Sequence, residues 1–544
     1  MNRGTILHGH SAACAATILL IGLITNPAPA AGPATAPWGD QGDGTFRNPV
    51  LNGDFSDPDV IRVGPDYYLI TSSFQYSPGM PVLHSKDLVN WQFFGHSIPN
   101  VAAIGPELNF DRMNRYNRGV WAGAIRYHAG KFWMFTATMD EGIFMTTADN
   151  PAGPWSMGHR VSDIKNVDDP CPFWDDDGQA YLLYSTPGKA WKLRIAKMAA
   201  DGTSVDFSTS TILDDYHSSE GGKLYKVDGT YYVFHNENRG GKNRVGVFMR
   251  SKNLGGPWEK KLFLQSQAAD RDREPNQGGL IDTPDGKKWY FLTHHGRGGF
   301  YEGRVVSLVP VKWVDGWPVA EAAGADGAGT VSYAPQPMPA TAGPPAAPQS
   351  GDDFDGPTLG LQWEWNYEPT PGVWSLSERP GFLRINAMRP LKKGVLLKTP
   401  NIITQRVMGR AGGRAEVKLD LSGLVDGQQA GLCVYDKDWA MIGVEQTGGQ
   451  RRVVFDTTGK PTAAGPAIMG TAVWLRFDLD DNGIAHAACS SDGKAFTPLG
   501  EAYQIKWANY RGGRIGLYTF NDDRDAGYID IDRFAYDYPR PGAN

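Results

Sequence analysis

A short motif that returns five times constrains this chain more than any other feature. Each copy is a turn, then one or two aromatic residues, then an apolar run. The copies are Gly64-Pro65-Asp66-Tyr67-Tyr68-Leu69, Gly130-Lys131-Phe132-Trp133-Met134, Asp177-Gly178-Gln179-Ala180-Tyr181-Leu182, Asp228-Gly229-Thr230-Tyr231-Tyr232-Val233 and Asp285-Gly286-Lys287-Lys288-Trp289-Tyr290. With Tyr68, Trp133, Tyr181, Tyr232 and Tyr290 as markers, the spacings are 65, 48, 51 and 58 residues. Such a period suits the four-stranded blades of a β-propeller, with the irregularity absorbed in loops. A second landmark, His84-Ser85-Lys86-Asp87-Leu88-Val89-Asn90-Trp91, is echoed at Arg250 to Trp258 and at Asn150 to Trp155. Each version reads as a strand end, a turn, and a tryptophan opening the next strand.

At 544 residues the chain exceeds the ~250–300 at which one hydrophobic core stops growing, so a second domain is expected. Residues from Ala320 to Gly351 are rich in Ala, Gly and Pro and read as a linker. Beyond them, alternating runs such as Arg414-Ala415-Glu416-Val417-Lys418-Leu419 indicate more strands. The expected fold is therefore all-β: a five-bladed β-propeller over 45–319, a linker over 320–350, and a β-sandwich (a concanavalin-like jelly roll) over 351–544. A net charge of -6 provides no basic field for phosphates, which argues against a nucleic-acid partner.

The start of the chain reads as an export signal over residues 1–30. Arg3 is followed by an apolar run from Ala12 to Thr25 and by the small-x-small site Ala28-Pro29-Ala30. The expectation is an exported protein, periplasmic or extracellular, free of the membrane once the signal is cleaved. Cys14 falls within this segment. Of the remaining cysteines, Cys433 and Cys489 either pair with each other or stay as buried thiols.

In a propeller the innermost strand of each blade lines the axis, one strand and turn before each marker. Counting back eleven to thirteen residues reaches Asp57, Trp121, Asp169, Glu220 and Gln277. Each has a plainer reading alone: Asp-Pro opens turns, Glu220 can be a strand-end charge, and Trp121 can be core. Three carboxylates in one frame are another matter, since acids gathered without a use would repel and be costly to bury. Glycoside cleavage gives them a use. One protonated acid serves the leaving oxygen, one carboxylate activates water, and a third keeps the acid protonated by like-charge repulsion. Trp121, with Phe74 and Tyr76, supplies flat faces for a sugar ring. Asp54, Asp59 and Asp168 compete if the frame is off by one or two.

At these residues the sequence resembles glycoside hydrolase family 43, the five-bladed β-xylosidases and α-L-arabinofuranosidases. The likeness runs through Asn48-Pro49-Val50-Leu51, Asp57-Pro58-Asp59-Val60, Gly119-Val120-Trp121-Ala122, Glu220-Gly221 with Leu224-Tyr225-Lys226, Gly303-Arg304 and Asp352-Asp353-Phe354-Asp355-Gly356. It implies Asp57 as general base, Glu220 as general acid, and Asp169 as the residue that tunes and orients the acid. It implies inversion of configuration, Arg304 reaching into the pocket, and an aromatic lent by the sandwich, with Phe520 as the candidate. The implied substrates are xylo- or arabino-oligosaccharides, with no cofactor required. Several members carry a channel histidine, which helps hold a central cation, where this chain has Gln277. A carbonyl oxygen of Gln277 can serve calcium there instead. Two rival readings stay open: a retaining sucrose or fructan hydrolase, and a non-catalytic carbohydrate-binding propeller.

Overall fold

The computed structural model describes residues 39–538, apart from 189, 216, 240–243, 267–273, 297–300, 325–326, 341–344, 411, 459 and 461. The predicted export signal, with Cys14, lies outside the described residues. The described residues form strands and short 3-10 turns with no α-helix, and no helix among them is long and apolar enough to cross a membrane.

Residues 59–320 build five four-stranded antiparallel sheets. Their innermost strands are Asp59–Val63, Gly123–His128, Asp168–Trp174, Ser218–Val227 and Asn276–Asp282, which stand side by side in a closed ring. These are blades 1 to 5. The repeated motif is the hairpin between the first and second strands of each blade. Its glycine (Gly64, Gly130, Gly178, Gly229 or Gly286) has φ between 61° and 84°. A Cβ at any of the five would meet nothing within 4 Å, so the left-handed turn selects glycine there, not crowding. The aromatics that follow pack blade against blade: Tyr68 on Phe132 at 5.3 Å, Trp133 on Trp174 at 5.2 Å, and Phe173 on Tyr231 at 6.2 Å. Such pairs are worth about 0.5–1.5 kcal/mol each beyond the area they bury. Between blades 5 and 1, Arg62 grips Asp282 with two hydrogen bonds of 2.9 and 2.7 Å.

The C-terminal part is a sandwich of two antiparallel sheets. One runs Ala463–Ala467, Gln450–Thr457, Trp439–Thr447, Gln428–Tyr435, Arg514–Asn521, Ile403–Arg406 and Glu364–Asn366. Its last strand comes from the propeller: Tyr76–Ser77, in the loop of blade 1, pairs with Trp365 and Asn366. Beside this shared edge, Glu364 is fully buried and takes Arg514 at 2.5 Å and Arg406 at 3.2 Å. Burial pushes its carboxyl up, but the two guanidiniums outweigh that and hold it well below the usual carboxylate range. Arg406 also donates to the Asp54 carbonyl at 2.7 Å, so the network spans both parts.

The stretch expected to be a linker does join the two parts, but its described residues pack along the propeller. Val331 and Met338 are buried, and Gln336–Pro337 pairs with Thr45–Arg47. Cys171, Cys433 and Cys489 are free and buried.

Candidate active site

Four of the five inner strands start with a break in their alternation, blade 2 being the exception. Asp57, Asp169, Gly221 and Gln277 have left-handed φ values of 55°, 53°, 74° and 54°. In blades 3, 4 and 5 the pairing register slips at this point, between Asp168 and Cys171, Glu220 and Lys223, and Asn276 and Gly279. A bulge of this kind re-aims side chains. Adjacent residues, which a regular strand would point apart, then face one hollow: Asp168 with Asp169, and Asn276 with Gln277.

The register also corrects the count made along the sequence. The markers pair with Ile61, Arg126, Phe173, Tyr225 and Ile281. Four residues before each partner lie Asp57, Ala122, Asp169, Gly221 and Gln277. Trp121 and Glu220 therefore stand one residue ahead of the equivalent position. In blades 2 and 4 the hairpins have two-residue turns, Ala129-Gly130 and Asp228-Gly229, so a count of twelve overshoots by one. Both side chains still reach the hollow.

That hollow is a cavity of about 280 Å³, and it gathers Asp57, Asp169, Glu220, Phe74, Trp121, Gln277 and Arg304. Asp57 is held from every side. Arg304 donates to its two oxygens at 2.9 and 3.1 Å, Ser72 donates at 2.6 Å, and its own N–H donates to His294 Nδ1 at 2.7 Å. Burial pushes the His294 imidazole well below its ordinary range, with Arg304 adding to the effect, so it is neutral and accepts at Nδ1. Asp169 accepts the Gly221 N–H at 2.8 Å and the Gln277 amide at 2.6 Å. Glu220 is paired with Arg244 at 2.6 Å. Asp168 also lines the cavity, and burial together with Asp169 beside it pushes its carboxyl well up.

Burial, first, pushes Asp169 up to about 6; Glu220 and Asp57 add to this, while Lys223 and the Gly221 N–H oppose it. The folded state thus holds this proton more tightly than the unfolded chain. Asp169 favours folding at low pH, and that advantage is lost as pH rises through 6. Relative to the parent, Asp169→Asn is expected to gain about 3 kcal/mol at most between pH ~4 and ~8, read by urea unfolding at each pH. A difference independent of pH would refute the raised value.

Two expected residues are not in the cavity. Tyr76 is fully buried at the shared sheet edge, with the Arg514 guanidinium 4.1 Å from its ring centre. Phe520 lies in Arg514–Asn521, a central strand with every residue buried; it stacks on Tyr518 at 5.9 Å on the face turned away from the sandwich core, in a cluster with Cys433 and Met441 against which Tyr116 of the propeller packs. The sandwich contributes Trp507 and Tyr510 instead, from an aromatic turn that breaks the strand pattern. Asn509 and Tyr510 have φ of 49° and 72°, a strained pair of order 1–3 kcal/mol each. Trp191, Arg244 and His294 are further lining residues that the repeat did not point to. Asp54 and Asp59 are taken up elsewhere: Asp54 accepts the Arg304 N–H at 3.2 Å, and Asp59 accepts Arg126 at 2.6 Å.

The residues around Gln277 do not fit a calcium ion. Its amide nitrogen is committed to Asp169, and its oxygen faces the fully buried ammonium of Lys223 at 3.5 Å. A fixed cation already occupies the direction in which a calcium ligand would point.

A propeller axis that brings Asp57, Asp169 and Glu220, with two further acidic residues and two arginines, to one sugar-sized cavity with aromatic walls defines a glycosidase. Residues 46–318 match Glycosyl hydrolases family 43, and residues 351–537 match the Beta xylosidase C-terminal Concanavalin A-like domain. The chain belongs to glycosyl hydrolase family 43. It is 36% identical to a beta-xylosidase of Formosa agariphila, over 94% of this chain and 93% of that protein. It is 31% identical to a non-reducing end alpha-L-arabinofuranosidase of Bacteroides ovatus, over 76% of this chain and 79% of that one. Among solved structures, the GH43 protein BlXynB of Bacillus licheniformis superposes with a TM-score of 0.78 at 27% identity, covering 91% of this chain and 99% of its own.

Proposed function

We propose that this is an exported, exo-acting glycosidase that removes terminal β-xylosyl or α-L-arabinofuranosyl units from xylan-derived oligosaccharides with inversion. The convergence of Asp57, Asp169 and Glu220 on one cavity carries the reading. Glu220 gives its proton to the glycosidic oxygen as the bond to the anomeric carbon breaks. Asp57, aimed by Arg304 and Ser72, takes a proton from the water that attacks the opposite face. Asp169 lies beside Glu220 and orients it. The expected base-to-acid separation is in the ~6.5–9.5 Å class that leaves room for water. The non-reducing-end action named for the Bacteroides relative supports an exo mode. The names of the Formosa and Bacteroides relatives support both pentoses. Export is supported by the residue pattern over 1–30.

The test is a panel of nitrophenyl pentosides, with the first-formed sugar followed by NMR. The expected product has the anomeric configuration opposite to the substrate. Retention would favour a double displacement of the fructan-hydrolase kind, and sugar affinity without hydrolysis would leave only a binding propeller. Export is checked by sequencing the mature N-terminus, expected just after Ala30.

A further inference from the structure

Arg511 lies outside the cavity, yet it connects the aromatic residues at its mouth. It sits on the sandwich immediately after Tyr510, whose ring is 5.9 Å from that of Trp121 on the propeller. Tyr510 is 57% exposed, which puts this pair at the outer rim. Arg511 itself has no exposure. Every nitrogen of its guanidinium is used: Nε donates to Asn117 Oδ1 at 2.7 Å, Nη2 to the Tyr116 hydroxyl at 2.7 Å, and Nη1 to the Gly512 carbonyl at 2.9 Å. The rings of Tyr76 and Tyr116 flank it, each centre 5.2 Å away.

Asn117 relays this hold to the propeller side of the mouth. Its carbonyl accepts the Trp121 indole N–H at 3.4 Å, and its own N–H donates to the side chain of Gln75 at 3.1 Å, next to the cavity residue Phe74. On the other side, Arg511 accepts the Ala508 N–H through its carbonyl at 3.0 Å, closing the turn that holds Asn509 and Tyr510 left-handed. All three acceptors of the guanidinium are neutral, so their selection is geometric: a planar fork meets fixed acceptors, which a lysine cannot copy.

We infer that Arg511 is a positioning residue for the leaving-group side of the cavity, setting Trp121 through Asn117 and Tyr510 through the chain beside it. This rests on the glycosidase reading above. Sugar units beyond the cleaved bond would feel the change, whereas a substrate whose leaving group is a single atom would not reach it.

The test compares a pentosyl fluoride with an oligosaccharide ending in the same pentose. For Arg511→Met, kcat/KM on the oligosaccharide is expected to fall about tenfold or more, mainly through KM, while the fluoride loses less than about threefold. Asn117→Gly, which suits the left-handed backbone and deletes only the acceptor, is expected to show the same split to a smaller degree. Should Arg511→Met fail to fold, Asn117→Gly decides alone. Equal losses on both substrates, or none on either, would overturn the proposal. A parent protein that cleaves neither substrate would refute the glycosidase reading instead.

Discussion

Asp57→Asn is expected to leave about one part in 10³ of the parent kcat, or less, with the fold intact. Asparagine keeps the volume, and its one oxygen can still accept from Ser72 and from Nη2 of Arg304, but it cannot take a proton from water. Glu220→Gln should lose as much on an unactivated glycoside, because the leaving oxygen then departs unprotonated. The two variants separate on a dinitrophenyl glycoside, whose leaving group needs little help. There Glu220→Gln should recover most of its rate and Asp57→Asn none, which distinguishes acid from base without reference to their spacing. If either variant keeps more than a few per cent of wild-type turnover on the unactivated substrate, its assigned role is wrong.

The largest effect on stability is expected at Glu364. Removing its charge leaves Arg406 and Arg514, both buried, facing each other without the carboxylate they share. Breaking a buried pair in this way costs about 3–5 kcal/mol, far more than the pair contributes over an apolar substitute. Glu364→Ala should therefore show a drop of that size in urea unfolding. Replacing Glu364, Arg406 and Arg514 together by apolar residues should recover part of it. A single variant within about 1 kcal/mol of the parent would mean that water or a rearranged carboxylate compensates the arginines.

Much of this was legible in the residues because it depends on local chemistry. A glycine that must turn left-handed, followed by aromatics that must pack between blades, leaves the same signature in every copy, so the propeller can be read by counting. The three acids follow from the same count. What could not be read was anything set by hairpin length or by the meeting of distant segments. The off-by-one at Glu220 and Trp121 comes from two-residue turns that the markers do not reveal. Phe520 is on the outer face of its strand, but Leu396, Met441 and Tyr116 cover that face, a packing that no local pattern announces. The residues that do reach the cavity, Trp507 and Tyr510, sit in an irregular turn with no periodic pattern, beside Arg511, whose side-chain partners are 394 and 395 positions away in the chain. Gln277 carries no sign of its preference for Asp169 over a cation, because that choice is made by Lys223 from the neighbouring blade.

The pairing of Tyr76–Ser77 with Trp365 and Asn366 has a consequence for anyone seeking to trade parts among such enzymes. The loop of blade 1 is not autonomous: its backbone finds some of its partners in the other domain. Expressed as a lone fragment, the catalytic ring would display those amides to solvent as a sticky seam. A transplanted sandwich would have to bring a matching edge to meet them. The exchangeable cassette is therefore the whole two-domain unit, cut at its outer ends and not at its waist.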